Sequence, residues 1–326
     1  MKDLSYLVAL TRNQSPSGRE KQCQDVVENF IKPYADNIWY DSMGNLIASK
    51  GNGLNGILIS AHVDQICMIV KKIEKDNCVS VLNGGGIDRK IVPGQRLNIM
   101  LDSGELVPAV CLKKPIHEEF KTKDYDKVQN IDEFKVWIGN EKRVKVGNYV
   151  TFDSFLTRVD SNIISPSLDD KICIYLCSRI FRDYDKSSDV TLYFASLVGE
   201  ETGLRGARHV VECLKDKVQV SIDFDVTFDD TLSPNRSDIR MGKGPVIAFG
   251  ADKDYDLAMK LESLGTSQRE ATRPGVTNTD ALQIGLEAKT AHIGIPLLNM
   301  HQENEIIDMR DVEGAESIML KYLKEY

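Results

Sequence analysis

The chain has 326 residues, 42% of them hydrophobic and 28% charged, enough to bury a large core with room for two domains. A net charge of -8 and an isoelectric point near 5.3 argue against a polyanionic partner such as nucleic acid, because neutralising phosphates takes clustered Lys and Arg and no basic patch is found. No apolar run approaches the roughly 18 residues that span a bilayer, and the opening Met1-Lys2-Asp3-Leu4-Ser5 shows neither a long apolar core nor a small-residue cleavage site, so neither a membrane partner nor a secretion signal is expected.

Ser17 and Glu20 have capping-box spacing ahead of Val26, Val27, Phe30 and Ile31, which predicts an amphipathic helix over about 18–32. Ile38-Trp39-Tyr40 and Asn45-Leu46-Ile47-Ala48 predict a hairpin-like pair. Gly56-Ile57-Leu58-Ile59-Ser60 predicts a short buried strand with His62 at its carboxyl end. From about 67 to 159 the texture changes to short alternating runs between turn residues, without a long helix. Residues 96–101 and 105–110 flank Asp102-Ser103-Gly104, a hairpin signal, and 134–138 and 148–152 predict further strands. The pattern then predicts a helix over 171–182, a strand over 190–198, a helix over 202–214, a strand over 218–224, a helix including 257–264, a strand over 291–295 and a helix over 312–322. The expected fold is therefore α/β, a mixed sheet flanked by helices. It has one discontinuous domain, 1–66 with 160–326, and an inserted all-β, barrel-like domain, 67–159. Seven cysteines, an odd count set mostly in apolar runs, suit reduced packing thiols and a cytoplasmic protein. Cys173 and Cys177, one helical turn apart beside Ile172, Leu176 and Ile180, read as a core stripe.

Ligand-type residues fall at matching places in this pattern. His62 follows one predicted strand, Glu200 and Glu201 follow another, Asp225 closes a third and His301 follows a fourth, while Asp169 opens a helix. Open α/β sheets bind ligands beyond the carboxyl ends of their strands, so four strands would deliver N and O donors to one edge. Each residue alone has a plainer reading, a satisfied polar group or a helix cap, but their joint occurrence points to two metal ions. Two divalent ions bring four positive charges against three from Asp169, Glu201 and Asp225, and a bridging hydroxide would neutralise the remainder. Nitrogen and carboxylate donors without thiolate suit zinc, cobalt or manganese. Asp64, two residues from His62, is placed to fix the imidazole tautomer, and Glu200, beside Glu201, to act as general base and acid. Asp280 is a candidate substrate-binding residue, with a structural turn as the alternative. His117, His209 and His292 read as surface, helix-face and strand residues. Gly84-Gly85-Gly86 lacks the strand-then-helix setting of a phosphate loop.

Several runs occur together in one order: Ser-Ala-His-Val-Asp at 60–64, Gly-Gly-Gly-Ile-Asp at 84–88, Leu-Asp-Asp-Lys at 168–171, and Gly-Glu-Glu-Thr-Gly-Leu-Arg-Gly-Ala at 199–207. Asp-Val-Thr at 225–227, Thr-Asp-Ala at 279–281, and Ile-Pro, Met-His and Asp-Met-Arg-Asp-Val between 295 and 312 follow. Over nearly its whole length the chain thereby resembles the glutamyl and tetrahedral (TET) aminopeptidases, a family of dinuclear metallopeptidases. The resemblance implies a zinc-peptidase-like sheet. It also implies that Asp169 bridges two ions, that His62 and Asp225 complete one site and Glu201 and His301 the other, and that Glu200 is the catalytic base acting on a peptide substrate. It further implies that 67–159 is a dimerisation domain whose homodimers build a larger homo-oligomer such as a dodecamer. The chain departs from the family at Gln65, where Glu is usual, at Leu298-Asn299, where Arg-Tyr is usual, at Gln302, where Ser is usual, and at Gly275-Val276-Thr277-Asn278, where the family is Gly-rich. None of these removes a ligand. Two other readings stay open: a metal-binding homologue with lost or altered activity, and a glucanase, which paired carboxylates could serve without any histidine-bearing metal set.

Overall fold

The computed structural model describes residues 4–122, 128–186, 189–233, 236–275 and 277–325. Met1, Lys2 and Asp3 of the opening segment, residues 123–127 of the expected insertion, and Val276 lie outside the described residues. Two compact units form: one from Met1–Gln65, Phe155–Met300 and Asn304–Tyr326, the other from Ile66–Ser154 with His301–Glu303.

In chain order the elements are α1 (Ser5–Arg12), α2 (Lys21–Ile31), β1 (Asn37–Tyr40), β2 (Leu46–Lys50), β3 (Asn55–His62), β4 (Met68–Ile73), β5 (Cys78–Asn83), β6 (Arg96–Met100), β7 (Leu106–Cys111), α3 (Ile116–Thr122), β8 (Val136–Trp137) and β9 (Tyr149–Phe152). After them come β10 (Thr157–Val159), β11 (Asn162–Ser165), α4 (Leu168–Asp183), β12 (Val190–Leu197), α5 (Arg205–Leu214), β13 (Val220–Phe228), β14 (Val246–Phe249), α6 (Tyr255–Ser263), β15 (Gln268–Ala271), α7 (Asn278–Leu286), β16 (Lys289–Leu298), β17 (Glu305–Asp308) and α8 (Met309–Glu325). The fold is mixed α/β, as the apolar runs and helical spacings imply. No helix among the described residues is long and apolar enough to cross a membrane.

In the larger unit, eleven strands among the described residues form one sheet. Its order is β1-β2-β12-β3-β13-β16-β17-β11-β10, with β14 on β16 and β15 on β14. β3 runs parallel to both β12 and β13, and β13 parallel to β16. The period-two alternation of strands sorts side chains between two faces. Ile57, Ile59 and Ala61 of β3, and Ile222, Phe224 and Val226 of β13, enter a core shared with α1, α2, α4, α6 and α8. Leu58 enters a second core with Ala207, Val210 and Val211 of α5 and Leu282 and Leu286 of α7. Ser60, His62, Asp223 and Asp225 alternate with the first set and so share the α5/α7 face. Helix α4 is buried from Leu168 to Phe181, lying between β3 on one side and α1, α2 and α8 on others.

In the smaller unit, β4-β5-β8-β7-β6-β9 close into a barrel around Met68, Val81, Leu97, Ile99, Val136 and Val150. The 96–101 and 105–110 runs pair antiparallel, Arg96 opposite Val110 through Met100 opposite Leu106. Among the described residues the departures from the expected β texture are the seven-residue α3 and a 3-10 turn at Ile131–Glu133.

The helix expected over 18–32 is shorter, Lys21–Ile31, and its capping box is not made. Ser17 Oγ instead donates to Asp64 Oδ2 at 2.6 Å, and Glu20 Oε1 accepts from the Gly18 amide at 2.7 Å. None of the seven cysteines, all of them among the described residues, is in a disulfide, and Cys173 and Cys177 lie in the main core.

Candidate metal centre and active site

Pairing between β3 and β13 runs from Ile57 opposite Val220 to Ser60 opposite Asp223 and stops there. β3 continues on β12 as far as His62, and β13 continues on β16 as far as Phe228. The two central strands thus separate just past Ser60 and Asp223, and two residues further on each presents a ligand-type side chain on the same face: His62 and Asp225. The expected strand 218–224 therefore runs past Asp225 instead of ending at it, because β16 stays paired alongside.

Asp169 enters from the start of α4, where Ser167 is left-handed (φ 57°) and Asp169 and Asp170 are non-helical. The Asp169 amide donates to Glu305 Oε2 at 3.1 Å, and the His62 amide to Asp170 Oδ2 at 3.2 Å. Glu200 and Glu201 follow β12 in the loop before α5. Their amides donate to Asp64 Oδ1 and Oδ2 at 2.9 and 3.3 Å. Asp64, fully buried, therefore collects Ser17, both loop amides and the neighbourhood of the imidazole, since His62 Nδ1 is 3.2 Å from its carbonyl oxygen and 3.5 Å from Oδ1.

A carbonyl oxygen only accepts, so Nδ1 carries the proton and His62 Nε2 points its lone pair at carboxylates: Asp169 Oδ1 at 3.2 Å, Glu200 Oε2 at 3.8 Å and Asp225 Oδ1 at 3.8 Å. A lone pair facing carboxylate oxygens is repulsive unless a cation or proton lies between them. Burial and mutual repulsion drive the acids toward neutrality. Glu200 is pushed up to about 9 by burial, with Asp225, Glu201 and Asp169 adding to the rise against His62. Asp225 is raised to about 6, and Asp170 well above the ordinary carboxylate range, both chiefly by burial. Burial works against an imidazolium at His62, but Glu200, Asp169, Asp64 and Asp170 outweigh it and lift its pKa.

That imbalance is what a divalent cation relieves. His62, Asp169 and Asp225 each offer one ligand atom, all within 4.8 Å of one another. Two ligands held about 2.0–2.2 Å from one zinc-like ion are at most about 4.4 Å apart, and the 3.2 and 3.8 Å separations from His62 Nε2 satisfy that. The donor set, one imidazole and carboxylates without thiolate, fits such an ion.

The structure thus gathers His62, Asp64, Asp169, Glu200 and Asp225, with the Glu201 amide on the same Asp64 carboxylate. His301 belongs to the smaller unit, where Nδ1 lies 2.9 Å from the Gly86 carbonyl. Asp280 is in the first turn of α7, half-buried, with its amide donating to the Thr277 carbonyl, and no hydrogen bond or ion pair among the described residues joins its carboxylate to the cluster. Sequence reasoning passed over Asp170, Ser17 and a buried network behind the site. There Ser60 Oγ and Thr279 Oγ1 donate to Asp223 Oδ1 and Oδ2 at 2.7 and 3.2 Å, and His292 Nδ1 is 3.3 Å from Thr279 Oγ1. The alternation of Asp223 with Asp225 was the available signal for that network. His209 bonds Asp41 and Ser42 on the α5 surface.

A helix-flanked mixed sheet with carboxylates and a histidine converging where two parallel strands part defines a hydrolase of the metallopeptidase type. The M42 glutamyl aminopeptidase family profile matches residues 44–318, and the chain belongs to that family, whose members are peptide hydrolases. A lysyl aminopeptidase of Pyrococcus furiosus is 27% identical over 349 aligned positions, covering 100% of this chain and 98% of that protein. Among solved structures, aminopeptidase APDkam598 from the archaeon Desulfurococcus kamchatkensis superposes with a TM-score of 0.90 at 25% identity, covering 99% of this chain and 94% of that one. The dodecameric PhTET1-12s superposes with a TM-score of 0.87 at 25% identity, covering 99% of each.

Proposed function

We propose that the protein is a dinuclear metal-dependent aminopeptidase that removes N-terminal residues from peptides. The observation that carries this reading is the buried convergence of His62 Nε2 with the Asp169, Glu200 and Asp225 carboxylates. Asp169 would serve both of two divalent ions, zinc, cobalt or manganese. His62 and Asp225 would hold one of them, and Glu201 and His301 the other. Bound divalent ions supply Lewis-acid polarisation and a water acidic enough to ionise near neutral pH.

The chain's own residues do the rest. Asp64 holds the His62 ring through Nδ1 and, through the amides of Glu200 and Glu201, fixes where those two carboxylates start. Glu200 Oε2, 3.8 Å from His62 Nε2, is the proton carrier. It takes a proton from the attacking water as the C–O bond forms, then gives it to the amide nitrogen as the C–N bond breaks, so the amino acid and the shortened peptide leave without net proton change. Burial raises the proton affinity of this carboxyl, which favours the proton-donating half of the cycle, and a nearby divalent ion would favour its ionised, proton-accepting form. Asp280, at the start of α7, contributes to the substrate pocket. The barrel unit serves dimerisation, and dimers build a larger homo-oligomer, a reading supported by likeness to the dodecameric PhTET1-12s. Seven cysteines outside any disulfide support a cytoplasmic, reducing setting.

The test is a matched panel of aminoacyl-nitroanilides, N-blocked peptides and a β-glucan with zinc, cobalt or manganese, run beside elemental analysis. Two ions per chain with turnover only on free N-termini is expected. One ion or none refutes the dinuclear reading, and metal-replete protein inert on every substrate identifies a homologue without turnover.

A further inference from the structure

The Gly84-Gly85-Gly86 run is no phosphate loop, and the proposed chemistry leaves it unused. Its third residue is solvent-exposed and does not have a left-handed φ, so neither burial nor backbone conformation calls for glycine there. A Cβ at position 86 would lie 2.6 Å from His301 Nδ1 and 2.9 Å from Cε1, with Cγ third at 3.9 Å, so the nearest atoms all belong to the His301 ring. The Gly86 carbonyl oxygen lies 2.9 Å from the same Nδ1. His301 is itself left-handed, φ 62°, a conformation that costs a non-glycine residue on the order of 1 kcal/mol and persists where surroundings enforce it.

We infer that Gly86 is the positioning residue for His301: its missing side chain makes room for the imidazole, and its carbonyl holds the ring in the tautomer that can ligate a metal. Because the carbonyl only accepts, Nδ1 donates and the lone pair of the neutral ring lies on Nε2. Such a bond from the non-ligating nitrogen raises ligand basicity and fixes ring direction, and losing outer partners of this kind typically lowers metal affinity about 10- to 100-fold. Alanine at 86 leaves the carbonyl in place but drives the ring off it. The imidazole is a mobile side chain, so the variant folds with a displaced His301 instead of a broken barrel. The metal arm of this inference rests on the dinuclear reading above, whereas the seating of the ring does not.

The test compares wild type, Gly86→Ala, Gly85→Ala, His301→Ala and the Gly86→Ala/His301→Ala double variant in the full chain. Gly85→Ala is the control within the run, since the three atoms nearest a Cβ there belong to Ile66, at 3.2 to 3.4 Å, and none to His301. Titration with zinc or cobalt is expected to show one of two ions bound at least tenfold less tightly in Gly86→Ala and unchanged in Gly85→Ala. In the His301→Ala background, Gly86→Ala should have no further effect, because it acts only through that ring. A second readout uses metal-free protein at a pH where the ring is neutral: the carbon-bound ring-proton resonance of His301 correlated to its ring nitrogens, assigned by its absence from His301→Ala, shows the Nδ1–H tautomer in wild type and Gly85→Ala, and that tautomer's resonance is lost in Gly86→Ala. Wild-type affinity together with a retained resonance in Gly86→Ala overturns the inference. So does an equal loss of affinity on adding Gly86→Ala to His301→Ala, which would mark general damage. If wild type takes a single ion, the dinuclear reading falls, and the resonance alone decides the role of Gly86.

Discussion

Lys171 is wholly buried, and its ammonium donates to Gln65 Oε1 at 2.6 Å and to the Asn13 carbonyl at 3.4 Å, both neutral acceptors. Gln65 is one of the positions at which the chain departs from the family it resembles, and the buried ammonium has an amide partner there instead of a carboxylate. Burial lowers the Lys171 pKa from 10.5 to about 8, with Glu305 and Asp64 acting in the opposite direction. At about 1.4 kcal/mol per unit, a depression of that size corresponds to about 3 kcal/mol of native-state cost at neutral pH. Gln65→Glu sets a carboxylate on the existing acceptor without changing side-chain length. An uncompensated buried charge gains most from a partner, and the variant should recover about 1–3 kcal/mol, read as a rise of several degrees in the Tm of metal-free protein. The pH dependence is specific. In wild type the native state holds fewer protons than the unfolded state between about pH 8 and 10.5, so this cost is full below pH 8 and fades as pH rises to 10.5. The advantage of Gln65→Glu should be complete below pH 8 and shrink above it. An unchanged or lower Tm at pH 7, or an advantage that grows with pH, would refute the assignment of Lys171 as an under-compensated charge.

Three further outcomes follow from the site and its supports. Glu200→Gln keeps shape but not basicity, and kcat should fall by about 10²- to 10⁴-fold with both ions retained; near-normal turnover in metal-replete protein would mean another group moves the proton, and Glu201→Gln should instead lose an ion. Asp64→Asn has a single acceptor oxygen for the Ser17 hydroxyl and the amides of Glu200 and Glu201, so calorimetric metal affinity should drop about 10- to 100-fold; wild-type affinity would show that Asp64 does not orient the site. Lys50, 8% exposed, donates to the carbonyls of Phe181, Arg182 and Tyr184 at 3.2, 2.9 and 2.6 Å, closing the end of α4, and Lys50→Met should cost about 1–3 kcal/mol in denaturant unfolding without altering kcat.

The parallel core of the sheet was legible because β3, β12 and β16 are largely apolar runs with ligand-type residues at or just past their carboxyl ends, whereas β13 carries Asp223 and Asp225 within a strand that continues to Phe228. Local pattern failed where a residue's partner is remote in sequence. Ser17 and Glu20 have the spacing of a capping box, yet Ser17 serves Asp64, 47 positions away, because a buried carboxylate gains more from a hydroxyl than a helix end open to water does. Helix α7 was missed for a related reason. Gly285 weakens the helical pattern by propensity, but a Cβ there would come within 2.5 Å of Val211, so the glycine sets the close approach of α7 to α5.

Where β3 and β13 part also explains why the acids cluster as they do. Up to Ser60 and Asp223 the strands are hydrogen-bonded neighbours, and the polar groups on the α5/α7 face must be satisfied by one another, which Ser60, Thr279 and His292 do for Asp223. Two residues on, the ladder has ended. The face is still buried, with His62 and Asp225 at 1% and 6% exposure, and although the Val226 amide donates to Asp225 Oδ1 at 2.7 Å, the carboxylates of Asp169, Glu200 and Asp225 still crowd around His62 Nε2. The same alternation that produces a quiet polar pair at Ser60 and Asp223 therefore produces, one step further along the same two strands, a cluster of carboxylates around a histidine lone pair, and such a cluster persists in a protein interior only with protons or a cation to offset its charge.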